Sequence, residues 1–237
     1  MSTIRAVVFD LFGTLVPKWS AKLAAARNAS MADDLGVSAE QFERAWQATF
    51  SSRECGRLAS VPEAIRSMLP QLGVEANEGQ LQTAAERSLE LHRRRIVPRA
   101  DVEPTLIALR ERGLCLGLLS NISAPGPDVF RALPIAGQFR SLVFSNEVGV
   151  EKPEPTIYAK PAAELDVAAE SCLFVGDGGS RELTGAIRAG MSAVLIRVDS
   201  EIEEEGWPDD AAKWQGPTIS SIQEVLAFVD DGLGFPT

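Results

Sequence analysis

The sequence holds one histidine and three cysteines among 237 residues, and its 23 Lys and Arg face 33 Asp and Glu. Each shortage excludes a class of function. Cys55, Cys115 and Cys172 lie far apart without C-x-x-C spacing, so neither a zinc knuckle nor a disulfide framework is indicated. Cys115 and Cys172 fall in apolar strand patterns, and the odd count points to reduced core thiols in a cytoplasmic protein. A net charge of −10 discourages long-range attraction to nucleic acid or to an anionic membrane surface. An anionic substrate then needs a metal or a focused Lys/Arg pocket. No stretch approaches the ~20 apolar residues of a membrane span, and Asp10 interrupts the first apolar run, so no amino-terminal signal is visible. The lone histidine lies in His92-Arg93-Arg94-Arg95, which reads as the exposed end of a helix with His92 solvated.

What is present has an ordinary globular balance, 45% hydrophobic and 24% charged, and is long enough to bury a substantial core. Two textures alternate along it. Short apolar runs at Ile4 to Phe9, Leu114 to Ser120, Ser141 to Ser145, Cys172 to Val175 and Ala193 to Val198 alternate with helical patterns and Gly-rich turns. That is the texture of an α/β fold with a mainly parallel sheet. Between Val16 and Pro98 there is no strand signal, only amphipathic runs at Ala21 to Leu35, Ala39 to Arg53, Val61 to Leu72 and Gly79 to Arg95. Ser38 is placed to cap the second of these, with Gln41 at the capping-box position. Pro17 and Pro98 mark the edges of the helical stretch as hinges, and an insertion after the first strand would hang over the carboxyl edge of the sheet as a lid. The acidic segment after Ser200 (Glu201, Glu203, Glu204, Glu205, Asp209, Asp210) reads as a solvated face, followed by a helical pattern over Ile219 to Val229.

Four strand ends carry the chemistry. The first apolar run delivers Asp10 into Leu11-Phe12-Gly13-Thr14, where Asp10 is either a nucleophile or metal ligand, or merely a turn opener with Gly13 supplying a positive φ. The second ends in Ser120-Asn121, a hydroxyl and an amide able to hold an anion, or alternatively the N-cap of the next helix. After the third run, Lys152-Pro153 precedes a helix starting near Pro155, so Lys152 can reach the same edge and neutralise Asp10 or a bound anion. The fourth gives Gly176-Asp177, with Glu182 five residues on. Two carboxylates brought beside Asp10 repel unless a cation joins them, and an oxygen-rich set with few ligands suits magnesium.

In this order and at these separations the four segments resemble the haloacid dehalogenase-like (HAD) hydrolase superfamily. The resemblance implies a Rossmann-like three-layer core, residues 1–17 and 98–237, plus an all-helical cap domain, residues 18–97. It implies Asp10 as the nucleophile that forms an aspartyl-phosphate, Thr14 and Ser120 as holders of substrate oxygens, and Lys152 as stabiliser of charge. Phe12, Gly13, Asn121 and Arg53 would line the substrate site. Mg2+ would be held by Asp10, the Phe12 carbonyl and Asp177, with Glu182 at a position where Asp is more usual. The partner would be a small phosphorylated molecule, with no nucleic acid or membrane, and the protein would be a monomer or homodimer.

One position departs from the family's phosphatases, which carry a second Asp two residues after the nucleophile to protonate the leaving oxygen. Here that residue is Phe12, and a phenyl ring transfers no proton. Three explanations stand: a phosphatase whose substrates have good leaving groups, an (S)-2-haloacid dehalogenase, or a weakly active phosphate-binding or regulatory protein. The dehalogenases resemble this chain in an aromatic residue at this position, the Ser-Asn pair and Lys-Pro. Gly176-Asp177 and Glu182 favour the first explanation, because a metal assists phosphoryl transfer but not departure of halide from carbon. Candidates for substrate choice are Trp19, Trp46, Arg53 and Arg57, with Arg53 ranked above Arg57. Phe42, Trp46 and Phe50 lie at helical spacing, which points to packing rather than recognition.

Overall fold

The computed structural model describes residues 3–18, 21–198 and 209–230. Six parallel strands form one sheet in the order β3-β2-β1-β4-β5-β6: β1 (Ala6–Phe9), β2 (Cys115–Ser120), β3 (Ser141–Phe144), β4 (Cys172–Gly176), β5 (Ser192–Ile196) and β6 (Thr218–Ile219). Successive side chains of a strand point to opposite faces, so a strand apolar at every position must be covered twice. Val7 and Phe9 meet one layer, which includes Leu106 of α6 (Val102–Glu111), Phe130 of α7 (Gly126–Arg131) and Val225 of α12 (Val225–Asp230). Ala6 and Val8 meet the other, with Tyr158 of α9 (Pro155–Leu165), Leu183 of α10 (Glu182–Arg188) and Ala211 of α11 (Asp209–Lys213). The three-layer, Rossmann-like architecture follows from this double covering. Because the chain runs outward through β2 and β3 and then returns to the far side of β1, a crevice opens at the carboxyl ends of β1 and β4.

Two features of the sheet differ from the sequence reading. A sixth strand exists, with only two residues and Ile196 paired to Ile219, too short to leave a periodic signal. The terminal helix expected over Ile219 to Val229 is correspondingly shortened: Ile219 joins the sheet, a 3₁₀ turn covers Ile222–Glu224, and α12 begins only at Val225. Glu201, Glu203, Glu204 and Glu205 lie outside the described residues, whereas Asp210, read as solvated, accepts hydrogen bonds from the Thr184 backbone N–H and hydroxyl. Among the described residues no helix is long and apolar enough to cross a membrane.

Between β1 and α6 the chain forms α1 (Ala21–Leu35), α2 (Ala39–Ala48), α3 (Phe50–Glu54), α4 (Val61–Leu72) and α5 (Glu78–Arg95), with a core of their own that includes Met31, Phe42, Trp46, Ile65, Met68 and Leu81. The Ser38–Gln41 capping box is present. The helix expected from Ala39 to Arg53 is broken at Thr49, whose hydroxyl donates to the Trp46 carbonyl at 2.8 Å and accepts from Arg53 Nε at 2.9 Å. A side chain bonding backward in this way competes with the helical ladder. The break turns Phe50 out of the expected packing line, and Phe50 is 51% exposed.

Immediately after α3 the insertion meets the core. Gly56 has φ +67°, and a Cβ there would lie 1.9 Å from the Asn146 carbonyl oxygen in α8 (Ser145–Val148). Only glycine allows both the conformation and the approach. Gly56→Ala is therefore expected to lower stability by about 1–3 kcal/mol, read as a shift of the denaturant midpoint, through strain and a displaced α3.

Candidate active site

Asp10 leaves β1 at the centre of the sheet edge, 5% exposed, with its backbone N–H bonded to the Val175 carbonyl of β4 at 2.9 Å. Lys152 Nζ lies 2.5 Å from Asp10 Oδ1 and also donates to Glu182 Oε2, so one buried ammonium joins two buried carboxylates. Burial alone lowers the pKa of this ammonium, but Asp10 and Glu182 outweigh it and hold Lys152 above the ordinary lysine range. Asn121 fixes the loop that delivers it: its Oδ1 accepts from the Lys152 N–H at 2.8 Å and its Nδ2 donates to the Lys152 carbonyl at 3.2 Å. The Ser120-Asn121 pair is thus no helix cap; α7 begins at Gly126 with Pro125 at its N-cap.

The opposite side of Asp10 is occupied by Asp177. Gly13, at φ +76°, leaves the room: a Cβ there would come within 2.4 Å of Asp177 Oδ2. Asp177 Oδ1 accepts from the Gly179 N–H at 2.8 Å, and Glu182 Oε1 accepts from the Gly178 N–H at 3.0 Å. Asp10, Asp177 and Glu182 present oxygens within 4.8 Å of one another, all buried. Burial first, and then the neighbouring Asp10 charge, raise the pKa of both Asp177 and Glu182 above the usual carboxylate range. Three carboxylates and one ammonium leave an excess of negative charge in an all-oxygen donor set, which fits a hard divalent cation such as magnesium.

Above these groups lies a cavity of about 440 Å³ between the sheet edge and the helical insertion. Asp10, Phe12, Asn121, Lys152, Asp177 and Glu182 line its floor, whereas Gly13, Thr14 and Ser120 are not among its lining residues. Thr14 Oγ1 is 3.5 Å from Asp10 Oδ2, and Ser120 is buried at the end of the neighbouring strand. Arg53 reaches the roof, buried rather than solvated, with its guanidinium carbon 4.0 Å from the centre of the Trp46 ring. Arg57 is exposed and lines no part of the cavity, and Trp19 lies outside the described residues.

Three residues that sequence reasoning passed over, Arg27 and Asn28 of α1 and Glu54 of α3, complete the roof with His92 of α5, which it had placed in solvent. Arg27 also lies over Trp46, at 5.2 Å, and Asn28 bonds Arg27 Nε and Glu43. Burial and the Arg53 charge lower Arg27 to about 10, and burial lowers Arg53 to about 10. His92 corrects the sequence reading outright. It is 5% exposed, with Nδ1 2.7 Å from the Ser88 carbonyl, and burial together with Arg27 and Arg53 lowers it to about 4. A signal was present: Asn28 is in helical phase with Met31, Ala32 and Leu35, and His92 with Leu81, Ala84 and Ser88. A polar residue on the apolar face of a helix marks a buried polar contact.

Reactive groups gathered on the carboxyl edge of a parallel sheet, under a helical insertion, define the class as an α/β protein with its chemistry at a strand switch point. Residues 4–190 match the model of the haloacid dehalogenase-like hydrolases, and the chain belongs to that family. It is 34% identical over 215 residues to the glyceraldehyde 3-phosphate phosphatase of Methanopyrus kandleri, covering 87% of this chain and 90% of that protein. It is 28% identical over 232 residues to haloacetate dehalogenase H-2 of Moraxella sp., covering 96% and 100%. In fold it resembles the 2-haloacid dehalogenase of Pseudomonas syringae pv. tomato, with a TM-score of 0.72 at 22% identity over 98% and 100% of the two chains.

The His92 shift sets a pH dependence of stability. Its folded pKa, about 4, lies below the ordinary 6.5, so the unfolded chain binds the extra proton between those values. Stability from a neutral His92 is then complete above pH 6.5 and lost as pH falls toward 4, by about 2 kcal/mol at pH 5. Glu54, raised to about 7 by burial, runs in the opposite sense over part of this window. The measurement is therefore a difference: His92→Gln should gain stability on wild type by about that amount between pH 7.5 and pH 5 in denaturant titrations.

Proposed function

We propose that this hydrolase is a magnesium-dependent phosphatase that acts on a small phosphorylated molecule through an aspartyl-phosphate on Asp10. The observation that carries this reading is the buried set of Asp10, Asp177 and Glu182. An anionic substrate approaching three carboxylates is repelled, whereas a divalent cation held there makes the same place attractive to phosphoryl oxygens. The phosphatase named above, 34% identical over most of both chains, supports the reading.

In this assignment Asp10, Asp177 and the Phe12 carbonyl hold the metal, and Glu182, whose oxygens already accept from Lys152 and Gly178, adds negative charge beside it. Magnesium, when bound, neutralises phosphoryl oxygens. Asp10 attacks phosphorus, Lys152 balances charge in the transition state, and Thr14 and Ser120 hold substrate oxygens. Phe12 lines the floor where the family's phosphatases carry an acid, so the core residues by themselves serve a leaving group that departs unprotonated. A cytoplasmic setting, a monomeric or homodimeric state and a role of residues 18–97 as a closing cap belong to the same proposal.

Phe12 also favours a second reading, an (S)-2-haloacid dehalogenase in which Asp10 attacks carbon without metal, since halide leaves without a proton. The dehalogenase relative is 28% identical over the whole length of that protein. One panel separates the two. With magnesium, 4-nitrophenyl phosphate should be hydrolysed, chelation with EDTA should abolish the activity, and Asp10→Asn should reduce it at least ~10³-fold. Chloride release from 2-chloropropionate that is indifferent to EDTA, without phosphatase activity, overturns the proposal.

A further inference from the structure

The missing acid has a required direction. In an in-line displacement at phosphorus, nucleophile and leaving oxygen lie on opposite sides. Asp10 attacks from the sheet, so the leaving oxygen faces the helical insertion, and after it departs the hydrolytic water enters from that same side. A proton donor on the strand end is therefore replaceable by one on the roof.

Among the described cavity-lining residues of α1 to α5, the ionisable side chains are Arg27, Arg53, Glu54 and His92. The two guanidiniums, at about 10, hold their protons at neutral pH. His92 is neutral there, and its one ring proton, on Nδ1, is donated to the Ser88 carbonyl. Glu54 remains. It is 7% exposed and lines the cavity together with Ser123 of the loop after β2 and Lys152, both of which act to lower its pKa. Its helix is fixed to the sheet edge at two further points, the Gly56 contact with Asn146 and the Ser51 hydroxyl 3.4 Å from Glu151 Oε1. The segment that carries Glu54 is thus held against the core.

We propose that Glu54 is the general acid and base of the reaction, supplying from the insertion the carboxyl group that Phe12 removes from the strand end. This rests on the phosphatase reading. In the first step Asp10 Oδ bonds phosphorus, the bond from phosphorus to the leaving oxygen breaks, and protonated Glu54 gives its proton to that oxygen, releasing an alcohol. In the second, the Glu54 carboxylate takes a proton from water, the water oxygen bonds phosphorus, and the Asp10–phosphorus bond breaks. The sum is one ester and one water converted to one alcohol and one phosphate, with Glu54 again protonated. Burial places Glu54 at about 7, opposed by Arg53, Ser123 and Lys152 and aided by Glu151, with Lys18, Arg27, His92 and Asp177 lining the same cavity. At neutral pH it can both give and accept a proton.

The test compares 4-nitrophenyl phosphate, which needs no acid, with propyl phosphate, which does, in the presence of magnesium. Wild type should turn over both, with kcat/KM for propyl phosphate falling as pH rises through about 7. Glu54→Gln should lose ~10²–10⁴ in kcat/KM on propyl phosphate but stay within about threefold on 4-nitrophenyl phosphate. With the latter it should release one equivalent of nitrophenol in a burst and accumulate phosphoenzyme, because water is no longer activated. Glu54→Asp, still an acid, should keep the alkaline limb and most of the propyl phosphate activity, and it decides the matter if the Gln variant is unstable. Equal losses on both substrates, no loss on either, or no wild-type turnover of propyl phosphate overturn the assignment to Glu54. A wild type that releases no nitrophenol sinks the phosphatase reading instead.

Discussion

The bridge that Lys152 makes between Asp10 and Glu182 is the interaction on which the rest of the site depends. It joins the end of β1, the loop after α8 and the first turn of α10, three segments distant in sequence, through a single ammonium. Removing two carboxylates and an ammonium from water is costly, and breaking such a cluster by deleting one member typically costs about 3–5 kcal/mol. The surrounding construction follows from that cost. Asn121 clamps both backbone groups of Lys152, Gly178 satisfies the other Glu182 oxygen, and Tyr158 donates to the Glu182 carbonyl at 2.9 Å. Gly185 exists as glycine because Tyr158 fills the place of its Cβ, with the phenolic oxygen 2.4 Å from that position. A charge cluster of this kind holds one geometry, and that geometry fixes the position of the Asp10 carboxylate.

The strands and their carboxyl-end residues were legible because local and global demands coincide there. A doubly covered strand must be apolar at each position, so the interruption by Asp10, Ser120-Asn121 or Asp177 stands out against it. Glycines at 13 and 176 are equally readable in retrospect, since a Cβ at either would lie within 2.5 Å of a catalytic-site carboxylate oxygen, Asp177 for Gly13 and Glu182 for Gly176. Strand β6 was illegible for the opposite reason. Two residues carry no period, and Ile219 pairs with Ile196 by tertiary context alone.

The roof of the cavity was read least well, and the physical cause is specific. Helical periodicity assigns apolar residues to one face and treats polar ones as solvated, yet Asn28, Arg53, Glu54 and His92 are buried. His92 misled most, because three arginines follow it at the helix end; Arg93 and Arg94 are exposed, whereas His92 turns inward with Ser88. Arg53 and Glu54 were displaced from their apparent phase by the break at Thr49, a tertiary outcome of side-chain hydrogen bonds that composition does not announce.

A buried polar roof has a consequence for how the two halves of the molecule must work together. With aromatic Phe12 at the strand end, the floor contributes Asp10, an ammonium and a metal-fitting acidic set, while among the described cavity-lining residues Glu54 and His92 stand on the insertion. Chemistry assembled from two layers is competent only when they are docked, and the docking contact, Gly56 on Asn146, lies two residues from Glu54. A displaced insertion would let water into the cavity and withdraw the acid in the same motion. On the proposed assignment of Glu54, moving the acid off the rigid strand exchanges constant availability for dependence on the docking of the insertion.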